Sequence, residues 1–256
     1  MDNTVLQNNR RYLKSRWSEL NRDETDQRAG SPRPAMQKDY APTAQLVELA
    51  SPESLKAAFG GTPSLGEAIA NRVSQRTFSD ENLSLDELAY LLWTTQGERN
   101  RTSKASFRTV PSGGARHPLE TYLCVQRVSG LERGLYRYLP LDHRLVFVKP
   151  ERQFDGNLEA LLDDALLQHN FGAAVTFIWT AIPYRSEWSY GHEAARLILL
   201  DAGHVCQNLY LACESVSCGT CAVGAYDQQK TDHLLDVDGE EEFCVYAAPV
   251  GKKPRG

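Results

Sequence analysis

The chain has 256 residues and a mass of 28.6 kDa, enough to bury a substantial core as one large domain or as a domain with an N-terminal extension. A composition of 41% hydrophobic and 24% charged residues excludes a disordered, collagen-like or repeat protein. The formal net charge of -5 and pI near 5.7 argue against a general nucleic-acid binder, which needs a basic face to displace counterions.

From the N-terminus, Val5, Leu6, Tyr12, Leu13, Trp17 and Leu20 recur at roughly helical spacing and predict a helix within residues 1–20. No apolar stretch follows Asn8–Arg11, so no secretory signal is expected and the expected location is the cytoplasm. From Asn21 to Pro52 the polar, proline-bearing sequence reads as an extended arm, of a kind that often wraps a partner subunit. The expected division is an N-terminal helix and arm over residues 1–52 and a folded domain over residues 53–256.

Ser64 with Glu67, and Ser84 with Glu87, are capping-box pairs that open two helices, the second carrying an apolar stripe of Leu85, Leu88, Leu91 and Leu92. Thr121–Val128, Gly134–Tyr138 and Arg144–Val148 predict a strand meander, turning at Leu141–His143. Ala173–Ile182 suits a buried strand. Gly191–Ser215 is apolar nearly all round and predicts a long helix in a core or subunit interface, with Asp201 and His204 as a paired polar contact within it. Ala222–Ala225, a helix over residues 228–235 and a last strand over residues 242–248 complete an α+β order. No stretch is apolar over the roughly 20 residues needed to span a bilayer, and no G-x-G-x-x-G follows a strand, so neither a membrane span nor a Rossmann domain is expected.

Six cysteines in a chain of this length read as reduced thiols rather than a disulfide framework. Cys218-Gly219-Thr220-Cys221 lacks a second ligand pair, so no metal site is expected.

Three segments have the chemistry of a binding site. In Arg72-Val73-Ser74-Gln75-Arg76, alternate positions put two guanidiniums and a hydroxyl on one face of an extended segment, suited to a phosphate or carboxylate; a solvated basic loop fits the same residues. Pro111-Ser112-Gly113-Gly114 is a turn whose glycines let backbone amides approach a flat or anionic ligand, or is simply a tight loop before a strand. Lys252 and Lys253 follow Gly251 as a possible phosphate clamp or an ordinary charged tail.

Together, four stretches in order resemble the nitroreductase superfamily of FMN flavoproteins, and within it the SagB-type dehydrogenases that oxidise azoline rings in modified peptides. They are Arg72–Phe78, Pro111–Pro118, Asp201–Leu209, and Gly219–Ala225 leading to Pro249–Lys252. The resemblance implies a central, mostly antiparallel sheet flanked by helices, with the long helix at a homodimer interface. It implies FMN held by Arg72, Ser74 and Arg76, with Gly219 and Thr220 near the ring and Lys252, more weakly Lys253, on the phosphate side. Pro111, Ser112, Gly113 and Gly114 would reach the flavin from the partner subunit. The azoline dehydrogenases share a Lys-Tyr pair before the long helix; here the corresponding stretch is Trp188-Ser189-Tyr190-Gly191, so Tyr190 is the candidate catalytic residue and serine stands in the lysine's place. Arg185 is a nearby cation that could substitute. The implied function is two-electron redox chemistry on a small or peptide-like substrate. The alternatives are an NAD(P)H-dependent nitro- or quinone-reductase and a catalytically degenerate scaffold that docks a partner.

Overall fold

The computed structural model describes residues 3–254. Its centre is a seven-stranded sheet in the order β1-β6-β5-β4-β7-β9-β8, antiparallel at every pairing. The strands are β1 (Leu46–Glu48), β4 (Leu119–Val125), β5 (Gly134–Leu139), β6 (Arg144–Pro150), β7 (Val175–Ala181), β8 (Cys218–Thr220) and β9 (Phe243–Lys252). A separate hairpin pairs β2 (Glu98–Arg101) with β3 (Ser106–Arg108).

Strand alternation divides the core into two layers. Leu119, Leu123 and Val125 of β4, with Phe177 and Trp179 of β7, pack against α5 (Leu85–Gln96) and α8 (Ala194–Ser215). On the opposite face, Tyr122, Cys124 and Ile178 meet α6 (Leu158–Ala165) and α9 (Gln228–Leu234). A sheet buried on both faces explains why Ala173–Ile182 is apolar except for Thr176 and Thr180 rather than alternating.

Both capping boxes form: the Ser64 and Ser84 hydroxyls accept from the Glu67 and Glu87 amides, opening α4 (Leu65–Asn71) and α5. Strand β9 extends to Lys252, beyond the expected end at Ala248, because β8 pairs with its last residues. Residues 222–225 are not a strand, and only Val223 bridges to Ala247. The expected long helix begins at Ala194, after a tight turn at Gly191–Glu193 and a separate helix α7 (Tyr184–Tyr190). Only one side of α8 is buried; Leu199 and Leu200 are 61% and 48% exposed, beside exposed Gly203, His204 and Gln207.

The N-terminal region forms α1 (Asn3–Leu13), two tight turns, α2 (Asp26–Ala29) and an irregular stretch leading to α3 (Pro52–Phe59), with β1 joining the sheet edge beside β6. Its attachment to the rest of the chain is polar and buried. Glu120, 2% exposed on β4, accepts from Arg137 Nη1 at 3.0 Å, Arg185 Nη2 at 2.6 Å and the Lys38 amide at 2.9 Å. Arg137 also donates to the Lys38 and Asp39 carbonyls, and Arg108 donates to Met36. The Lys38 ammonium pairs with Glu242.

Burial would raise the Glu120 carboxyl, but Arg185 and Arg137 outweigh it and hold the group below the usual carboxylate range. Nearby His117 is pushed down to about 3, by burial first and by Arg108 second. Both folded-state values are depressed, so each group contributes stability that is present above its unfolded value and lost as pH falls through the folded one. His117 sets the upper edge of that window at its ordinary value of 6.5. The denaturation midpoint is therefore expected to decline below about pH 6.5, and His117→Gln to make the decline above the carboxylate range shallower, His143, also lowered by burial, contributing to the rest. Glu120→Gln strips the carboxylate from two buried guanidiniums and is expected to cost about 3–5 kcal/mol in urea denaturation at pH 7.

Candidate functional site

The segment after α4 runs beside β8 and the end of β9. Ser74 bridges to Thr220, the Gln75 amide donates to the Thr220 carbonyl at 2.9 Å, and the Ser79 amide donates to the Lys252 carbonyl at 3.0 Å. Close approach fixes two glycines here: a Cβ on Gly219 would lie 2.6 Å from Gln75, and one on Gly251 would lie 2.6 Å from Phe78. Tyr210 of α8 organises the group. Its hydroxyl lies 3.0 Å from Ser74 Oγ and accepts from the Ala222 amide at 2.7 Å, while the Arg72 guanidinium sits 5.2 Å from its ring centroid. Arg72 and Ser74 thus share one neighbour, as their alternate spacing requires.

The cations in this group are held differently. Among the described residues neither Arg72 nor Arg76 forms an ion pair; Arg76 makes one long bond, 3.4 Å to the Ser74 carbonyl. Lys252 pairs with Glu87, the capping acid of α5, and donates to the Val216 carbonyl at 2.9 Å. Lys253 pairs with Glu214 at 2.7 Å. The two arginines retain uncompensated charge, whereas both lysines are neutralised within the fold.

The Pro111–Gly114 turn lies elsewhere. Ser112 Oγ donates to Asp201 Oδ2 at 2.6 Å and accepts from the His117 amide at 2.9 Å, and the Gly113 amide donates to Asp201 Oδ1 at 3.3 Å. The expected Asp201–His204 contact is therefore not the one made; the carboxylate holds the loop instead, and His204 is exposed. Burial raises the Asp201 carboxyl against the lowering pull of Ser112 and Gly113. Asp201 and Tyr210 are nine residues apart on α8, about two and a half turns and about 13 Å, so they face opposite sides of the helix. Arg72, Ser74, Arg76, Gly219, Thr220, Lys252 and Lys253 are brought together within this chain; Pro111–Gly114 are not brought to them.

Tyr190 stands with the turn. A Cβ on Gly114 would lie 2.0 Å from the Tyr190 hydroxyl, and Gly114 has φ +57°, so glycine is favoured there on both counts. Trp17 packs edge-on to Tyr190 with ring centroids 5.5 Å apart. Arg185 is not available beside it, being 4% exposed and bound to Glu120. The neighbouring cation is Arg116, whose Nη1 lies 3.4 Å from Ser189 Oγ and whose guanidinium stacks 5.1 Å from the Trp188 centroid. Sequence reading passed over Arg116 as part of a loop motif; no local pattern marks a loop arginine that turns toward a distant helix.

All six cysteines are buried free thiols. Burial pushes Cys206, Cys218 and Cys244 up to about 12, so the Cys218 thiol lacks the thiolate character that redox chemistry needs.

Residues 69–252 match the profile of the nitroreductase family. The chain belongs to that family. Over 190 residues, 74% of this chain, it is 34% identical to a protein of Methanocaldococcus jannaschii assigned as a nitroreductase, covering 91% of that protein. It is also 35% identical over 56% of its length to the trifolitoxin-processing protein TfxB of Rhizobium leguminosarum bv. trifolii, of which it spans 39%. The fold is that of the nitroreductases. A solved Ralstonia eutropha nitroreductase-family structure superposes with a TM-score of 0.65 at 22% identity, covering 88% of this chain and 95% of that one. A chain of the Escherichia coli microcin synthetase McbBCD complex, solved with truncated pro-MccB17 bound, superposes with a TM-score of 0.59 at 19% identity, covering 73% of each chain. Membership of the nitroreductase family supports an oxidoreductase function, and its members typically use flavin cofactors. Among the described residues no helix is long and apolar enough to cross a membrane.

Gly114→Ala would place a side chain in the left-handed region at a cost of about 1–2 kcal/mol and against the Tyr190 hydroxyl. The expected outcome is a lower thermal midpoint with an altered near-ultraviolet tyrosine and tryptophan signal, while Gly113→Ala, whose Cβ would come no nearer than 3.3 Å to the Leu197 side chain, is milder.

Proposed function

We propose that this protein is an FMN-dependent oxidoreductase of the SagB-type dehydrogenase kind, carrying out two-electron chemistry on a small or peptide-like substrate as a cytoplasmic homodimer. The observation that carries the reading is the pair of uncompensated guanidiniums, Arg72 and Arg76, set beside Ser74, Gly219 and Thr220. In a chain of net charge -5, two arginines left without carboxylates on one edge fit a phosphate-bearing group with a flat ring.

When bound, FMN supplies a ring that accepts or donates hydride. Arg72, Ser74 and Arg76 hold its phosphate, ribityl chain and pyrimidine edge, and their charge favours electron density moving toward that edge. Gly219 and Thr220 set the backbone beside the ring, and Lys252 and Lys253 stand on the phosphate side, where an incoming phosphate would compete with Glu87 and Glu214 for them. The separation of the Pro111–Gly114 turn from this group supports a flavin shared across a dimer, to which the partner subunit contributes its own turn. The exposed Leu199 and Leu200 give α8 an apolar surface for such a dimer to cover. Tyr190, carried beside that turn, is the group placed to give or take a proton at its hydroxyl. Six buried thiols suit a reducing compartment.

A peptide-like substrate is supported by two relatives, the trifolitoxin-processing protein and the microcin synthetase chain solved with its precursor. The Methanocaldococcus relative favours a second reading, an NAD(P)H-dependent nitro- or quinone-reductase. NAD(P)H consumption with a quinone separates the two.

Purified protein is expected to show the near-ultraviolet and blue absorbance bands of oxidised flavin and to release FMN on denaturation. Arg72→Ala together with Arg76→Ala should lower FMN retention about tenfold or more with an unchanged far-ultraviolet circular dichroism spectrum. A colourless protein that takes up no added FMN would favour a partner-docking scaffold.

A further inference from the structure

The N-terminal region builds a cavity of about 540 Å³ against the end of α7, lined by Trp17, Arg22, Arg28, Ser189 and Tyr190, together with Thr25 and Gln27. That volume is within the range of small-molecule pockets. Its electrostatics are one-sided, because no carboxylate lines it. The acids of the same region face away: Glu19, Glu24, Asp26 and Glu187 line the adjacent cavity of about 460 Å³. Glu19 is further occupied by Arg16, and Asp26 accepts from the Tyr184 hydroxyl at 2.6 Å.

Two more guanidiniums stand behind the cavity. Arg33 and Arg116 stack on Trp188 with centroid distances of 5.6 and 5.1 Å, and Trp188 Nε1 donates to the Ser31 carbonyl at 3.1 Å, which fastens the arm there. Arg116 is only 8% exposed and reaches Ser189 on the cavity wall. Burial, then the charge of Arg33, lowers its pKa. Among the described residues Arg22, Arg28, Arg33 and Arg116 form no ion pair, while Arg11, Arg137, Arg144 and Arg185 are all paired. Four uncompensated arginines within one corner of a chain of net charge -5 repel one another, and an oxyanion relieves that repulsion.

We infer that the N-terminal arm completes an oxyanion-binding subsite, in which Arg22 and Arg28, backed by Arg116, receive a carboxylate or phosphate group of the substrate next to Tyr190. Trp17 and Tyr190 give that subsite aromatic surface for a flat group attached to the anion. The assignment to substrate rests on the proposed placement of Tyr190 at the reacting end; the oxyanion site itself stands without it. Arg22 and Arg28 are exposed and contribute to no buried network, so their removal leaves the fold intact.

The test is a ligand-observed NMR titration of the full chain with benzoate and with its neutral counterpart benzamide, with flavin content read separately by absorbance. Benzoate is expected to bind about tenfold more tightly than benzamide. Arg22→Ala with Arg28→Ala should abolish that preference at unchanged flavin content, and Arg22→Lys with Arg28→Lys should restore part of it. Displacement of benzoate by inorganic phosphate would locate recognition in the charge alone, and failure to displace it would add the aromatic faces; both keep the oxyanion at the arginines. Equal binding of benzoate and benzamide, or a preference that survives the alanine pair, overturns the proposal. Protein that lacks flavin yet still prefers benzoate upholds this subsite and sinks the flavin reading instead.

Discussion

Helix α8 is the member on which the arrangement of the site depends. Asp201 clasps the Ser112–Gly113 turn on one side, and Tyr210 gathers Arg72, Ser74 and Ala222 on the other. A helix fixes azimuth and rise together, so residues nine apart stay on opposite faces whatever the loops do. Two clusters of chemistry are thereby held rigidly apart, on either side of the buried face of the same helix. The proposal of a flavin shared between two subunits draws on that separation.

Buried ionic contacts join the N-terminal arm to the sheet. Glu120 faces Arg137, Arg185 and the Lys38 amide at a buried position, and Arg108 and Arg137 donate to carbonyls of the half-buried arm residues Met36 and Lys38. Such a network adds little net stability over a hydrophobic replacement, but it is unforgiving of a missing partner. It also consumes Arg185, the cation nearest Tyr190 in sequence. The position beside Tyr190 is filled by Arg116 from the turn that Asp201 holds, so the two systems meet at Ser189 and Tyr190.

Charge is distributed with the same economy. Lys252 and Lys253 are matched by Glu87 and Glu214, and Glu87 caps a helix while it pairs. The arginines of the Arg72–Arg76 segment and of the arm cavity are left unmatched. Around the Arg72–Arg76 segment, structural ion pairs and open cations therefore stand side by side, a difference that composition and net charge do not reveal.

Much of this was legible in the sequence. The capping boxes at Ser64 and Ser84 formed because hydroxyl and carboxylate three residues apart satisfy free amides of a helix start without tertiary help. The long helix and the buried strand followed from their runs of apolar residues, although only one side of the helix is buried within this chain, and the ordered motifs identified the family. Tertiary structure alone decided which polar groups meet. Asp201 bonds Ser112 rather than His204, and Glu120 lies 65 residues from Arg185 in sequence yet 2.6 Å away in space. β9 gained length beyond the expected Ala248 because pairing depends on the neighbouring strand. Local physics fixes caps and periodicity within a few residues, whereas long-range polar contacts are chosen by the packing of whole elements, and a linear sequence holds no distance between them.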